Sequence, residues 1–215
     1  ESAITAVSHV LKRAILGLRD LEKPIGTFFF MGQTGVGKTE LAKVLTEHIY
    51  PDASHLIRID CSEYSMPHEY AKLIGAPPGY IGHKEGGYLT ELMKKKKQGV
   101  VLFDEIEKAD TKVHDLLLQM LDEGFITDSM GTKILFNQCI IIMTSNVGVE
   151  EVESFRNAVG FGAEKRKGGL NEEELLRETI SGLKKEFSPE FINRIDKVVL
   201  FKSLTMDNCE RITEI

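Results

Sequence analysis

With 215 residues, 42% of them hydrophobic, the chain can bury a proper core, and its length suits one large domain or little more. A formal net charge of −6 argues against a nucleic-acid-binding protein, which displays a basic footprint, and no run approaches the roughly 20 apolar residues of a membrane span. Cys61, Cys139 and Cys209 are scattered without metal-ligand spacing, which argues against a disulfide framework and a zinc site; with no basic-then-apolar leader, the expected location is the reducing cytosol.

In chain order, Ile4, Val7, Leu11, Ala14, Ile15 and Leu18 recur at helical spacing and predict an amphipathic helix over residues 3–18, ended by Pro24 and Gly26. "TFFFM" (27–31) is a short apolar run of strand type; the glycine-rich stretch 32–37 leads from it into "KTELAKVLTEHI" (38–49), which reads as a helix. "LIRID" (56–60) alternates as a strand. "GGYLTELMKKKK" (86–97) reads as a helix whose terminal lysines, Lys94 to Lys97, suit the negative end of the helix dipole better than they suggest a phosphate-binding patch. "VVLFD" (100–104) and "CIIIM" (139–143) are continuous apolar runs, expected of strands covered on both faces, with the helix "VHDLLLQMLDEG" (113–124) between them. "GFGAEKRKGGLNEEE" (160–174) reads as a charged, glycine-rich surface excursion. Strands alternating with helices indicate an α/β layered fold with right-handed crossovers, whose ligands bind beyond the C-terminal ends of the strands. The chemistry is therefore expected just after Met31, Phe103 and Met143.

Three motifs stand there. "GQTGVGKT", Gly32 to Thr39, fits the phosphate-loop pattern G-x-x-x-x-G-K-[ST] between a strand and a helix. Gly32, Thr34, Gly35, Val36 and Gly37 would offer backbone N–H groups to phosphate oxygens, Lys38 would reach the β and γ phosphates of a nucleotide, and Thr39 would coordinate Mg²⁺. "VVLFDE" ends its strand in Asp104 and Glu105, two adjacent acids that repel unless a cation sits beside them. Asp104 is placed to hold Mg²⁺ through water, and Glu105 to orient and deprotonate an attacking water. "IIIMTSN" ends in Asn146, a neutral amide able to hydrogen-bond the γ-phosphate and the water. The expectation is hydrolysis of a nucleotide rather than its storage.

With those elements in order the chain resembles the AAA+ ATPases, and "GAPPGYIGHKEGGYLTE", "LFDEIEKA", "LLLQMLDEG", "IIMTSNVG" and "FSPEFINRID" together resemble the second ATPase ring of the Clp unfoldases. The resemblance covers nearly the whole chain and implies that the nucleotide is ATP. It implies a P-loop NTPase large subdomain over residues 1–215, a parallel five-stranded sheet flanked by helices, ending before the family's small helical domain and beginning after its "VIGQ" stretch; Gln33 stands where a proline is frequent. It implies that Arg194, in "FINRID", is an arginine finger entering the neighbouring subunit's site in a homo-hexamer. It further implies that Tyr80 and Ile81 line the hexamer's central channel and grip unfolded or tagged polypeptides, where spacing alone would fold Tyr80 back onto the core. Val159-Gly160-Phe161 matches the loop by which peptidase-associated, ClpC-type members dock on the ClpP peptidase; the competing reading is a surface loop that happens to hold Phe161. The implied function is an ATP-dependent unfoldase threading proteins into ClpP, with adaptor proteins as possible partners and neither nucleic acid nor membrane. The alternative is a ClpB-type disaggregase without a peptidase.

Overall fold

A computed structural model of the chain describes residues 2–77, 86–147 and 172–201. The three apolar runs form the middle of a parallel sheet: β1 (Gly26–Met31), β3 (Gly99–Asp104) and β6 (Cys139–Ser145) are buried along their whole length. The strand order is β2-β3-β6-β1-β7, which puts β2 (Leu56–Asp60) and β7 (Lys197–Leu200) at the edges. Edge position explains why "LIRID" alternates: one flank is open, and Arg58 is exposed between the buried Ile57 and Ile59.

Side chains leave the sheet alternately up and down, so the two faces build separate cores. On one face Phe29, Phe103, Ile141 and Met143 pack with Leu116, Leu117 and Met120 of α5 (Thr111–Glu123). This side also takes Phe187 and Phe191; Phe187 lies edge-on to Phe29 at 5.5 Å and stacks on Phe191 at 5.2 Å. On the other face Phe28, Phe30, Leu102 and Ile142 pack against Val7 of α1 (Ser2–Ile15) and Ala42 of α2 (Lys38–Ile49). The short helix α3 (Ala71–Ile74) and α4 (Tyr88–Lys96) flank residues 78–85, and α6 (Glu172–Glu186) and α7 (Pro189–Asn193) precede β7. The five-stranded parallel sheet flanked by helices is the architecture expected from the sequence.

Several particulars differ. The opening helix stops at Ile15 rather than residue 18, because the chain turns at Gly17 with φ +73; Ile15 and Leu18 are 84% and 66% exposed instead of joining the apolar stripe. Glu172 to Glu174, read as part of a surface excursion over 160–174, open α6 instead; residues 160–171 lie outside the described residues. An antiparallel hairpin of β4 (Phe125–Thr127) and β5 (Lys133–Leu135) is an addition. Between α5 and β4, Gly124 closes the helix at φ +68, and a Cβ there would collide with the Glu22 carbonyl oxygen. Only glycine lets the connection from α1 to β1 cross this helix end, and that crossing brings Lys23 to Asp122 at 3.4 Å.

Candidate active site

The register Phe103↔Met143 and Met31↔Ser145 aligns the C-terminal ends of β3, β6 and β1 side by side. The residues that follow each strand therefore meet in one cleft of about 450 Å³, lined by Thr34, Gly35, Gly37, Lys38, Thr39, Asp104, Glu105 and Asn146 together with Arg58, Asp60 and Thr144. Gly35 and Gly37 adopt φ +84 and +98, and a Cβ on either would meet nothing within 4 Å. Both thus combine a backbone that other residues take only under strain with open space in front of it, a cradle suited to an anion at the start of α2. Gly32 plays another part: a Cβ there would come within 2.8 Å of Phe201, so the loop's first residue is braced from below by the chain leaving β7. Gly32 and Val36 do not line the cleft.

Lys38 is 8% exposed, and its Nζ donates to the carbonyl oxygens of Gly32 and Gln33 and, at 2.7 Å, to Asn146 Oδ1. The lysine after β1 and the amide after β6 are thus in direct contact. Burial pushes the Lys38 ammonium below the usual lysine range, while the charges of Glu107, Asp104 and Glu105 work against that shift. The Asn146 backbone N–H donates to Glu107 Oε1 at 3.1 Å, and Glu107 Oε2 is buried without a partner.

Asp104 collects donors on both oxygens. Thr144 Oγ1 donates to Oδ1 at 2.5 Å, Arg58 Nη2 and Nε donate to Oδ2 at 2.7 and 3.1 Å, and Thr39 Oγ1 lies 3.3 Å from Oδ2. The Thr39 hydroxyl and the Asp104 carboxylate are hard oxygen donors beside a phosphate cradle. They fit Mg²⁺, which takes one or two protein oxygens and completes its shell with phosphates and water. Among the described residues no group of three or more His, Cys, Asp or Glu could hold a metal by itself. Glu105 sits at φ +57, one of two non-glycine residues with positive φ among those described, and its amide donates to Thr144 Oγ1 at 3.1 Å. Its carboxylate pairs with Lys108 at 2.6 Å, and that hydrogen bond, with the attendant charge, holds Lys108 above the usual lysine range. The two adjacent acids, expected to need a cation beside them, find counter-charges within the chain itself: Arg58 serves one and Lys108 the other.

Arg194 lies elsewhere. It caps the C-terminal end of α7 and lines a second cavity, of about 280 Å³, beside Ile25 and Thr27 at the start of β1, whereas the phosphate loop follows the end of that strand. Its Nη1 and Nη2 contact Asp122 Oδ1 and Oδ2 at 3.0 and 3.1 Å. Tyr80 and Ile81, and Val159, Gly160 and Phe161, lie outside the described residues. The chain on either side of residues 78–85 is closely joined: a Cβ on Gly87 would collide with the Leu73 carbonyl oxygen and the Gly75 amide.

Sequence reasoning missed Arg58, Lys108 and Asp122. Arg58 carried a usable signal, a lone cation inside an alternating strand that ends beside the predicted site. Lys108 follows Glu105 by one helical turn. Asp122 is an acid in the last turn of α5, the end of a helix that disfavours anions.

Residues 23–198 match the AAA domain (Cdc48 subfamily). The chain is 45% identical over 212 residues to the ATP-dependent Clp protease ATP-binding subunit ClpC of Staphylococcus saprophyticus, covering 99% of this chain and 26% of that one. The same figures hold for ClpC of Staphylococcus aureus strain USA300. The chain thus spans about a quarter of the length of the curated relatives it matches, at 26%. Among solved structures it superposes on Hsp104 in a closed-state cryo-EM reconstruction with ATPγS and FITC-casein. The TM-score is 0.84 at 38% identity, over 99% of this chain and 35% of that one.

Proposed function

The chain belongs to the AAA domain family, Cdc48 subfamily, an ATPase family of the Clp type, and from that premise we propose that it is the large ATPase subdomain, residues 1–215, of a cytoplasmic protein unfoldase. The observation that carries this reading is the convergence of Lys38, Thr39, Asp104, Glu105 and Asn146 on one cleft with a glycine cradle at its wall.

In this reading the backbone N–H groups of residues 34–39 and the Lys38 ammonium bind the β and γ phosphates of ATP. Thr39 and Asp104 hold Mg²⁺, which when bound neutralises charge on the phosphate oxygens. Glu105 accepts the proton of the attacking water, and Asn146 orients that water against the γ-phosphate. Arg194 sits away from its own chain's cleft, which supports a role at the site of the adjoining subunit in a homo-hexamer, where its guanidinium stabilises the charge of the transferring phosphoryl group. Tyr80 and Ile81 grip unfolded or tagged polypeptides in the central channel, with adaptor proteins delivering some of them, and Val159-Gly160-Phe161 docks on the ClpP peptidase. Neither nucleic acid nor membrane is part of this reading; among the described residues no helix is long and apolar enough to cross a membrane.

The test follows a fluorescent folded substrate with the assembled protein, with and without ClpP, while ATP turnover is recorded alongside. Tyr80→Ala should keep ATP turnover and lose unfolding, because it removes an apolar grip and no catalytic group. Phe161→Ala should keep both and lose ClpP-dependent degradation. If Phe161→Ala degrades normally, docking through this loop is refuted; if the unsubstituted protein unfolds the substrate but ClpP adds no degradation, the ClpB-type disaggregase takes the place of the peptidase-coupled machine; if Tyr80→Ala unfolds normally, threading by this loop is refuted.

A further inference from the structure

Asp122 occupies a position that helix electrostatics disfavours. It lies in the last turn of α5, where partial negative charge accumulates, and that turn contains no basic residue of its own. Two cations from other elements converge on it instead. Lys23 arrives at 3.4 Å from the connection that crosses Gly124, and Arg194 at 3.0 and 3.1 Å from the end of α7. An acid placed against the local rule, with counter-charges imported from two distant stretches of chain, points to a duty beyond local stability.

The geometry says what that duty is. Arg194 meets Asp122 with Nη2 donating to Oδ2 at 3.1 Å and Nη1 lying 3.0 Å from Oδ1, so both carboxylate oxygens face the guanidinium and restrict how it turns. One of its five N–H donors is engaged in a hydrogen bond to the carboxylate, and most of the others are left for a ligand. The backbone beneath is fixed as well. Arg194 N donates to Phe191 O at 3.1 Å, and two residues on, Asp196 exchanges hydrogen bonds with Thr27 at the start of β1, at 2.8 and 3.0 Å. The ion pair is one-third to two-fifths exposed, at 33% and 43%, so screening by water leaves it little weight in folding. What it fixes is a direction.

We propose that Asp122 is the positioning residue of the Arg194 finger, holding the guanidinium so that its remaining N–H donors point at the adjoining subunit's phosphates before those phosphates arrive; this rests on the reading of Arg194 as a finger acting between subunits. A long side chain that is already ordered loses less freedom on reaching the transition state. Lys23 shares the carboxylate, its Nζ lying 3.4 Å from Oδ1 and leaving Oδ2 to Arg194.

The experiment compares steady-state ATP hydrolysis by the assembled protein carrying Arg194→Ala, Asp122→Asn, Asp122→Glu, or Arg194→Ala and Asp122→Asn together. Asp122→Asn should lower kcat by about ten- to a hundredfold, the scale of misplacing a catalytic group by about an ångström, with the KM for ATP held within about twofold. Asp122→Glu, which keeps both oxygens on a longer arm, should recover part of the loss. The double variant should be no slower than Arg194→Ala alone, since a residue that acts only through Arg194 has nothing further to lose. A merely structural role, by contrast, would slow the double variant beyond Arg194→Ala, and that result overturns the inference. So does a slow Arg194→Ala beside an Asp122→Asn of undiminished kcat, which leaves the finger reading standing. An Arg194→Ala protein as fast as wild type overturns the finger reading itself, and this inference with it.

Discussion

Replacing Lys38 by methionine separates what the lysine does for the fold from what it does for phosphate. Burial holds the Lys38 ammonium below the usual range against the pull of Glu107, Asp104 and Glu105. A base whose pKa falls on folding is a liability at neutral pH. The unfolded chain binds the proton more tightly, so stability rises with pH between the lowered folded value and the ordinary 10.5. Against that cost stand the hydrogen bonds to Gly32, Gln33 and Asn146, each worth about 1 kcal/mol net. The methionine keeps most of the apolar stem. The two sides offset, so Lys38→Met should change the unfolding free energy by no more than about 1 kcal/mol, or about 2–4 °C in Tm for a domain of this size. Wild type should also gain on the variant as the pH is raised toward 10.5. Nucleotide binding should respond quite differently. Two charge-assisted hydrogen bonds to phosphate at about 1.5–3 kcal/mol each amount to about 3–6 kcal/mol, a loss of about a hundred- to ten-thousandfold in affinity. Thermal unfolding of the chain with and without Mg²⁺ and ATPγS reads both quantities, because a ligand that binds only the native state raises Tm in proportion to RT ln(1 + [L]/Kd). A Lys38→Met chain whose Tm still climbs with nucleotide refutes the role assigned to Lys38. A chain less stable by more than about 3 kcal/mol refutes the account of the buried charge.

Glu105→Gln keeps the size of the side chain and leaves Asp104 in place, so ATP affinity should hold while kcat falls by about a hundred- to ten-thousandfold; normal turnover would remove Glu105 from the mechanism. Gly124→Ala must carry a side chain at φ +68 into the Glu22 carbonyl, and should lower stability by at least about 2 kcal/mol in urea unfolding; an unchanged midpoint contradicts the crossing described above. Asp128 is 6% exposed and accepts from the Met130 and Thr132 amides at 2.9 and 2.8 Å and from Lys94 at 2.9 Å. Burial alone would raise its pKa, but Lys94 and those amides outweigh it and hold the carboxyl below the ordinary 3.8. Its contribution is therefore present above that pH and lost as the pH falls through the folded value. Asp128→Asn should cost about 2 kcal/mol at neutral pH, and the gap from wild type should close below 3.8; a gap independent of pH refutes this.

The strands that carry the site were legible because a buried parallel strand leaves an uninterrupted apolar run, and because glycine at residues 35 and 37 signals a backbone that few other residues adopt. What stayed hidden was short, or decided by distant partners. β7 is four residues with one fully buried side chain, too little for any periodicity to register, and β4 and β5 have three residues each. Leu18 fits the helical stripe of α1 on spacing, yet Gly17 ends that register, and nothing in the pattern distinguishes a glycine that a helix tolerates from one at which it stops. Arg58 and Asp122 owe their significance to residues 46 and 72 positions away in the chain, Asp104 and Arg194, a relation that no local window contains.

β7 connects the phosphate-loop cleft with the cavity that Arg194 lines. Just before it, Arg194 and Asp196 are fastened to Asp122 and to Thr27; just after it, Phe201 donates its amide to Met31 at 2.7 Å and lies beneath Gly32. Between those points β7 and β1 run in register from Phe28↔Lys197 to Met31↔Leu200. A hydrogen-bonded pair of strands is stiff along its length, so this short edge strand is built like a pushrod. A shift of the phosphate loop would bear on Phe201 at one end and reach the guanidinium at the other through paired backbone. A ring of such subunits would be geared: each would report the condition of its own cleft through the side chain it presents to its neighbour.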